Sequence, residues 1–496
     1  MIAMLRLMRQ RMLQGALVGG DTLSAARVTL APVGPVFVPG GMPAQQLGPP
    51  SSQGSNSGDE GNAIERILIV FGAVGAMAGL IVADLGPSKV TIARDLVGET
   101  LWPWVGKPAI ALAGLALVSL VWRIALWMRY RPVPALAVDD PRLPAITVVI
   151  PAYNEGQIVH DTIRSLLASD YPQELVTIVC VDDGSKDDTV QWARSAASLA
   201  PDRVTVLLHE RNAGKRHALF YGFSHVTSPI VVTVDSDTVL PTDALRALVT
   251  PMVLDAKVGA VAGRIDVLNR SRNFLTRMLA VRYRIGFDFA RAYQSELGSV
   301  FVTPGAFSAY RVDVVRPHWP AWRDIKFLGA TCSNGDDHHM ANRVLWSGYK
   351  TVYQGNAVAR TTVPMTYKRL SLMYVRWARS NLRESTLYMG HLPQVVRNWR
   401  RIPGAIDAIF SYLQLPLRMY LLFAGWALVF LHPTLLARSI AFALAMALLH
   451  MIIFLRSERS LDAVYTLAYA VFALLTLQWI YPMALVTVRQ SRWLTR

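Results

Sequence analysis

Cysteine is nearly absent from these 496 residues: Cys180 and Cys332 are the only two. Two cysteines can build neither a disulfide framework nor a Cys-based zinc site. A secreted, stapled scaffold is excluded, and a reduced, cytosolic catalytic portion is expected. Charge is scarce too, with Asp, Glu, Lys and Arg at 17% against about 25% in a typical soluble domain. Acidic residues are the scarcer sign, 34 against 50 Lys and Arg, for a net charge of +16. Such an excess suits nucleic acid, an anionic membrane face or an anionic substrate. Arginines flanking apolar runs favour the membrane, and no nucleic-acid partner is expected. What the chain has in surplus is apolar residues, 52%, with a mean hydropathy of +0.31. They collect into runs near both ends, the pattern of a membrane protein.

Residues 1–62 begin basic and Met/Leu-rich, then drift into Pro, Gly, Gln and Ser. That composition cannot bury a core and predicts disorder. No uninterrupted apolar stretch leads to a small-residue cleavage site, so a signal peptide is not expected. Within 63–130, the runs at 67–85 and 108–128 approach the 20 or so residues that a helix needs to cross a bilayer. Arg123 is near enough to the end of the second to snorkel. Arg129, Arg131 and Arg142 follow, placing the N-terminus and everything after Met128 in the cytoplasm by the positive-inside rule. Residues 143–400 alternate short β-branched segments (146–150, 176–181, 204–208, 229–235) with helix-period stretches. This predicts an α/β domain with a mostly parallel sheet covered on both faces. Apolar character returns over 401–488, with candidate spans at 409–431, 434–455 and 462–487, before a tail at 489–496. The expected protein is an integral, multi-pass inner-membrane protein with a cytoplasmic catalytic domain; its oligomeric state is unknown.

Ligands of open α/β sheets sit at the carboxyl ends of strands, where the acidic motifs fall. The first strand runs into Pro151-Ala152-Tyr153-Asn154-Glu155, and the second ends in Asp182-Asp183-Gly184-Ser185. Helix capping by Ser185 or Asp187 explains those two residues but not a pair of adjacent acids on a β-rich strand end. Carboxylates there could accept hydrogen bonds from a base and a ribose. Asp235 and Asp237 close the strand at 229–235 and are two apart, so both can converge on one point. A hard divalent cation with substrate phosphates completing its shell is the ordinary use of such a pair; the bland alternative is a solvated turn. Lys215 and Arg216 offer charge for a diphosphate. Asp336 and Asp337 open a helix followed by His338 and His339. Adjacent residues on a helix do not face one another, which speaks against one metal collecting all four, so a carboxylate general base is the better reading. Arg376, Trp377, Arg379 and Arg383 crowd a later helix that suits anionic lipid or a sugar ring beside a diphosphate.

Five motifs in this order between two sets of apolar runs resemble the GT-A, family-2 glycosyltransferases, over about residues 63–496. The resemblance is to the processive, membrane-embedded branch containing hyaluronan, chitin and cellulose synthases. Within it, GDDHHMANR and RWARSNLRES look most like the GDDRHLTNR and RWxKSxFRES of hyaluronan synthases. TPGAFSAYR (303–311) resembles their SGPxxxYR, and the final WLTR their WGTR. The resemblance implies a donor site of Ala152, Tyr153, Glu155, Asp182, Asp183, Lys215, Asp235, Arg376 and Trp377, with Asp183 on uracil. It implies Mg²⁺ or Mn²⁺ on Asp235 and Asp237, and Asp337 as catalytic base. An acceptor and gating set follows likewise: Arg264, Gly305, Asp336, Trp377, Trp493, Thr495 and Arg496. His338 departs from the usual Arg, and Met373 stands where the QxxRW motif has Gln, removing one polar contact near the active site.

The implied reaction is single displacement. The acceptor hydroxyl, deprotonated by Asp337, attacks C1 of a UDP-sugar and inverts it to a β-linkage. The nascent polysaccharide then leaves through the bilayer, with Gln414 and Arg418 lining its path because polar residues inside a span usually face a wet cavity. UDP-GlcNAc and UDP-GlcA are the expected donors. Chitin-, poly-GlcNAc-, cellulose- and alginate-type products, a lipid-directed transferase and an inactive export scaffold or transporter remain open. Pro482 is expected to break the run 462–487, bending it so that the tail returns to the cytosolic face.

Overall fold

The computed structural model describes residues 94–95, 98–100, 102–415 and 434–490. The expected span at 67–85, most of that at 409–431, Arg418 and the tail residues Trp493, Thr495 and Arg496 lie outside the described residues. Helix α1 (Trp102–Arg129) contains the second apolar run. Arg123 on it does not snorkel: it turns inward, donating to Asp407 Oδ1 at 2.7 Å and Ser411 Oγ at 2.8 Å.

The α/β pattern continues as β1 (Ile146–Ala152), α2 (Ile158–Leu167), β2 (Val176–Asp182), α3 (Thr189–Ala197), β3 (Val204–Leu208), α4 (Lys215–Ser224) and β4 (Ile230–Val234). These strands are parallel, and β1 pairs with β2 from Ile146↔Val176 through Ala152↔Asp182. Every residue of β1 and of β4 is buried, which is why both read as continuous apolar runs: a sheet covered on both faces has no solvent side to alternate toward. After β5 (Thr238–Val239) and α5 (Ala244–Leu254) come β6 (Val258–Val267), α6 (Phe274–Ile285), a π-helical turn (Gly286–Arg291), β7 (Phe307–Arg311), the two-stranded ribbon β8 (Lys326–Phe327) and β9 (Ala330–Thr331), α7 (Asp336–Trp346) and β10 (Lys350–Thr361). The eight-stranded sheet has the order β3-β2-β1-β4-β7-β6-β10-β5. Only β7, between β4 and β6, and β5, on the edge, run antiparallel, so the sheet is mostly parallel, as the sequence pattern predicts.

Under α4 the core closes with Phe223 stacked on Trp319 at 5.1 Å and Trp322 fully buried. Helix α8 (Tyr367–Val395) starts on the side chain of Thr366 and carries the Arg-Trp motif. A helical stretch at 402–415 follows, then α9 (Thr434–Ser457), α10 (Tyr465–Thr476) and α11 (Ile480–Val486). Among the described residues no single helix is long and apolar enough to cross a membrane. The pair Leu461–Thr476 and Ile480–Val486 reaches that length and composition together, with a bend of 48°. The break falls at 477–479 and not at Pro482, which sits in the first turn of α11 where a missing N–H is harmless.

Candidate active site

The carboxyl ends of β1, β2 and β4 bring three predicted motifs side by side. Asn154, at φ +53°, receives a stitch in both directions: its N–H donates to Ser185 Oγ at 2.9 Å, and its Oδ1 accepts from Lys186 N–H at 2.9 Å. The Glu155 and Gly156 amides donate to Thr189 Oγ1, and Ser236 Oγ donates to Glu155 Oε1 at 3.1 Å. Ala152, buried at the end of β1, accepts the Asp183 N–H at 2.8 Å. Tyr153 follows, half-buried.

Asp182 and Asp183 divide their work in a way the motif did not disclose. Both Asp183 oxygens serve the protein's own loop, accepting from Ala213 N–H at 2.9 Å and Gly214 N–H at 2.7 Å, with His209 Nδ1 2.9 Å away. Asp182 Oδ2 accepts the Ser185 N–H at 2.9 Å, while its Oδ1 is buried with no hydrogen-bond partner among the described residues. An unoccupied acceptor at this strand end is therefore Asp182 Oδ1, beside Asp183, the residue that the resemblance places on uracil.

The loop clamped by Asp183 leads into α4, whose first residue, Lys215, pairs through Nζ with Asp235. Burial pulls the Lys215 ammonium down, but Asp235, with Asp336 and Asp337 beyond it, more than restores it, so its pKa stands above the ordinary lysine value. Gly305 lies against this pair: a Cβ there would sit 3.2 Å from Lys215 Nζ and 3.9 Å from Asp235 Oδ1. Asp237 accepts from Thr361 Oγ1 at 3.1 Å and Thr362 Oγ1 at 3.3 Å, at the end of β10. Both carboxylates are half-buried at a strand terminus. Among the described residues no cluster of three or more His, Cys, Asp or Glu could hold a metal. Two hard oxygen donors, with a substrate's phosphate oxygens completing the shell, would fit Mg²⁺ or Mn²⁺.

Asp336 and Asp337 also part company. Asp336 is buried and ion-paired to Arg216 Nε at 2.5 Å. Arg216, expected on a diphosphate, is instead 2% exposed and holds the Cys332 and Asn334 carbonyls as well. Asp337 stays half-buried, its Oδ1 accepting the His338 N–H at 2.8 Å. On α8, Arg376 is lowered by burial but lies in the field of Asp235, Asp337 and Asp336. Trp377, 44% exposed, packs its ring near Tyr374 and Tyr283 at 5.5 and 6.0 Å. Arg264 on β6 is turned to Asp266 at 3.5 Å.

A family model described as glycosyltransferase like family 2 matches residues 143–380. A hyaluronan synthase of Streptococcus pyogenes serotype M3 is 34% identical over 288 residues, covering 57% of this chain and 67% of that protein. The chain belongs to the family 2 glycosyltransferases. N-acetylglucosaminyltransferases of Azorhizobium caulinodans and Rhizobium meliloti are 32% and 31% identical, covering 50% and 56% of this chain and 62% and 66% of those proteins. Among solved structures, a mannosyltransferase from Pyrobaculum calidifontis in complex with GDP-Man and Mn²⁺ aligns at a TM-score of 0.47 and 24% identity, over 77% of this chain and 97% of that one.

In this glycosyltransferase the motif carboxylates were legible in sequence, but the groups that set them were not. His209, Thr361, Thr362 and Ser236 carry no spacing signal; only the folded sheet brings them to Asp183, Asp237 and Glu155. Met373 has a plain reason to depart from Gln. It is 6% exposed and packs in an apolar cluster with Leu279, Val363 and Leu370, a setting that favours a thioether over an amide.

Proposed function

We propose that this glycosyltransferase is a processive, inverting polysaccharide synthase that uses UDP-sugars. The observation that carries the reading is electrostatic: Lys215 and Arg376 each lie in the field of both Asp235 and Asp337. Cations for a leaving diphosphate and a carboxylate for an attacking hydroxyl thus share one site. Asp182 and Asp183 form the base end, with Asp182 Oδ1 offering an acceptor for an imide N–H. Asp235 and Asp237 hold a divalent cation, which when bound neutralises charge on the departing diphosphate. Asp337 accepts the proton of the acceptor hydroxyl, the oxygen attacks C1 opposite the diphosphate, and the anomeric centre inverts. Trp377 offers a flat, half-exposed ring to a sugar, and Gly305 leaves space above Lys215.

The product we propose is hyaluronan, from UDP-GlcNAc and UDP-GlcA in alternation, supported by the 34% identity to a hyaluronan synthase. A GlcNAc-only product is the second reading, favoured by the two N-acetylglucosaminyltransferase relatives. Radiolabelled donors given singly and together to the purified full chain separate them. Hyaluronidase-sensitive polymer that requires both donors supports hyaluronan, whereas polymer from UDP-GlcNAc alone replaces it. Extrusion through a bilayer by a multi-pass enzyme with a cytoplasmic catalytic domain belongs to the same proposal. The apolar helices α1 and α9, the bent pair, and exposed Leu461, Val464 and Val486 support it.

A further inference from the structure

The arginines of the α8 motif beyond Trp377 have no part in the chemistry above, yet two of them are buried. Arg383 is 2% exposed and Arg379, one turn earlier, 3%. Neither forms a salt bridge among the described residues. A cation taken out of water without a carboxylate partner is costly to stability, and these two are held by neutral oxygens alone. Those oxygens come from two distant places. Arg383 Nη2 donates to the Asn334 carbonyl at 3.1 Å and also to Asn334 Oδ1, while Nη1 donates to the Val488 carbonyl at 3.2 Å. Arg379 donates through Nε to Thr487 Oγ1 at 2.9 Å and through Nη2 to Gln490 Oε1 at 3.0 Å.

Residues 487–490 follow α11, and Asn334 lies two residues before α7. The turn between Asn334 and Asp336 is tightly determined. Gly335 has φ +85° and packs against Ser380 of α8 so closely that a Cβ would collide with the hydroxyl. On its other side Arg216 holds the Asn334 carbonyl at 3.1 Å together with the Asp336 carboxylate. Asn334 is therefore gripped by one arginine fixed in the α/β core and by another whose second hand holds the chain after the bent helix pair. Asp337 is three residues further on.

We propose that Arg383 is a positioning residue that couples docking of residues 487–490 on α8 to the placement of the Asp337 carboxylate. With the segment docked, both terminal nitrogens of Arg383 are occupied and the Asn334–Gly335 turn is held. With it undocked, Arg383 loses the Val488 carbonyl and the turn relaxes. The planar fork of arginine suits this task, because one rigid group satisfies two sites at a fixed separation, which a lysine cannot do. The inference rests on the reading of Asp337 as the base.

The test uses the full-length enzyme in lipid nanodiscs, with kcat and KM for the sugar donors and calorimetry with UDP and Mn²⁺. Arg383→Lys should lower kcat about ten- to a hundredfold, the scale of a misplaced catalytic group, with KM and UDP affinity within about twofold. The paired variant Thr487→Val/Gln490→Ala, which loosens only the docked segment, should lower kcat in the same selective way. Combining it with Arg383→Lys should add nothing further, since both break one connection. Additive losses, unchanged kcat, or kcat and UDP affinity falling together would overturn the proposal. If Arg383→Lys does not fold, combining the paired variant with Asn334→Ala gives the same reading: non-additive losses support the coupling and additive ones overturn it. Separately, full turnover by Asp337→Asn would overturn the base assignment while leaving the measured coupling between tail and turn intact.

Discussion

At the scale of single residues, the site separates acids that look equivalent in sequence. Asp336 is locked to Arg216 and Asp337 is not, so the two should fail differently. Asp337→Asn cannot accept a proton and should cut polymer formation by about 10²–10⁴-fold while binding UDP and Mn²⁺ normally. Asp237→Ala should weaken that binding itself. Calorimetry on both variants decides it, and equal loss of UDP affinity would reject the division of labour. Met373→Gln restores the common motif residue at a position where Leu279, Val363 and Leu370 offer no hydrogen bond. Burying that amide should cost about 1–3 kcal/mol, read as a lower thermal inactivation midpoint. A midpoint at or above the parent's would show that the amide finds a partner.

Among elements, the joint between α7 and α8 rests on polar groups inside the protein. His339 Nδ1 lies 2.7 Å from Glu384 Oε2, Asn342 Nδ2 donates to the same oxygen at 3.2 Å, and Arg343 Nε donates to His339 Nε2 at 3.0 Å. Because Arg343 donates to Nε2, the imidazole carries its proton on Nδ1 and is neutral, in keeping with burial holding its pKa below the usual value. Glu384→Ala would strand the buried Nδ1–H and should cost about 1–3 kcal/mol, seen as accelerated heat inactivation at pH 7.5; parent-like inactivation would reject the joint. Elements also differed in how well their sequences announced them. β1, β2 and β4 were legible because strands buried on both faces read as nearly unbroken apolar runs, and β3, a partly exposed edge strand, by its β-branched residues between turns. β7 (FSAYR) and β10 (KTVYQGNAVART) mix Gly, Asn, Gln and Ser into their runs, and nothing local marks them as sheet. The carboxylates of the site were visible because acids at strand ends are conspicuous. Their partners were not: His209 meets Asp183 across 26 positions and Thr361 meets Asp237 across 124.

For the molecule as a whole, buried imidazoles set the response to acid. Burial holds both His338 and His339 below the ordinary histidine value. Between those lowered values and about 6.5 the unfolded chain binds more protons than the folded one, so stability rises with pH and falls on acidification through that window. Burial raises the Glu384 carboxyl, but His339 overrides it and holds it low. Its contribution is therefore lost only at more acid pH, below about 4.3. The inactivation midpoint should drop between pH 7.5 and pH 5.5; a flat profile would show that the imidazoles are already charged in the folded state. The tail supplies a topological prediction. Arg489, Arg492 and Arg496 favour the cytoplasmic side, so Thr495→Cys should resist impermeant thiol reagents in intact cells. Deleting residues 492–496 should reduce synthesis strongly without preventing membrane insertion. Labelling from outside would reverse the assignment.

The grip of Thr361 and Thr362 on Asp237 has a consequence in time. A ribosome adding about 5–20 residues per second needs some 6–25 s to reach these threonines after it has made Asp237. Over that interval the emerging chain displays its acidic pair with nothing from β10 to aim it, and Asp337 arrives only shortly before the threonines do. The newborn polypeptide therefore leaves its acidic pair without these two contacts until most of the residues proposed to act on a nucleotide sugar have been made. Chains stalled short of residue 350 should bind Mn²⁺–UDP far more weakly than chains released after 362.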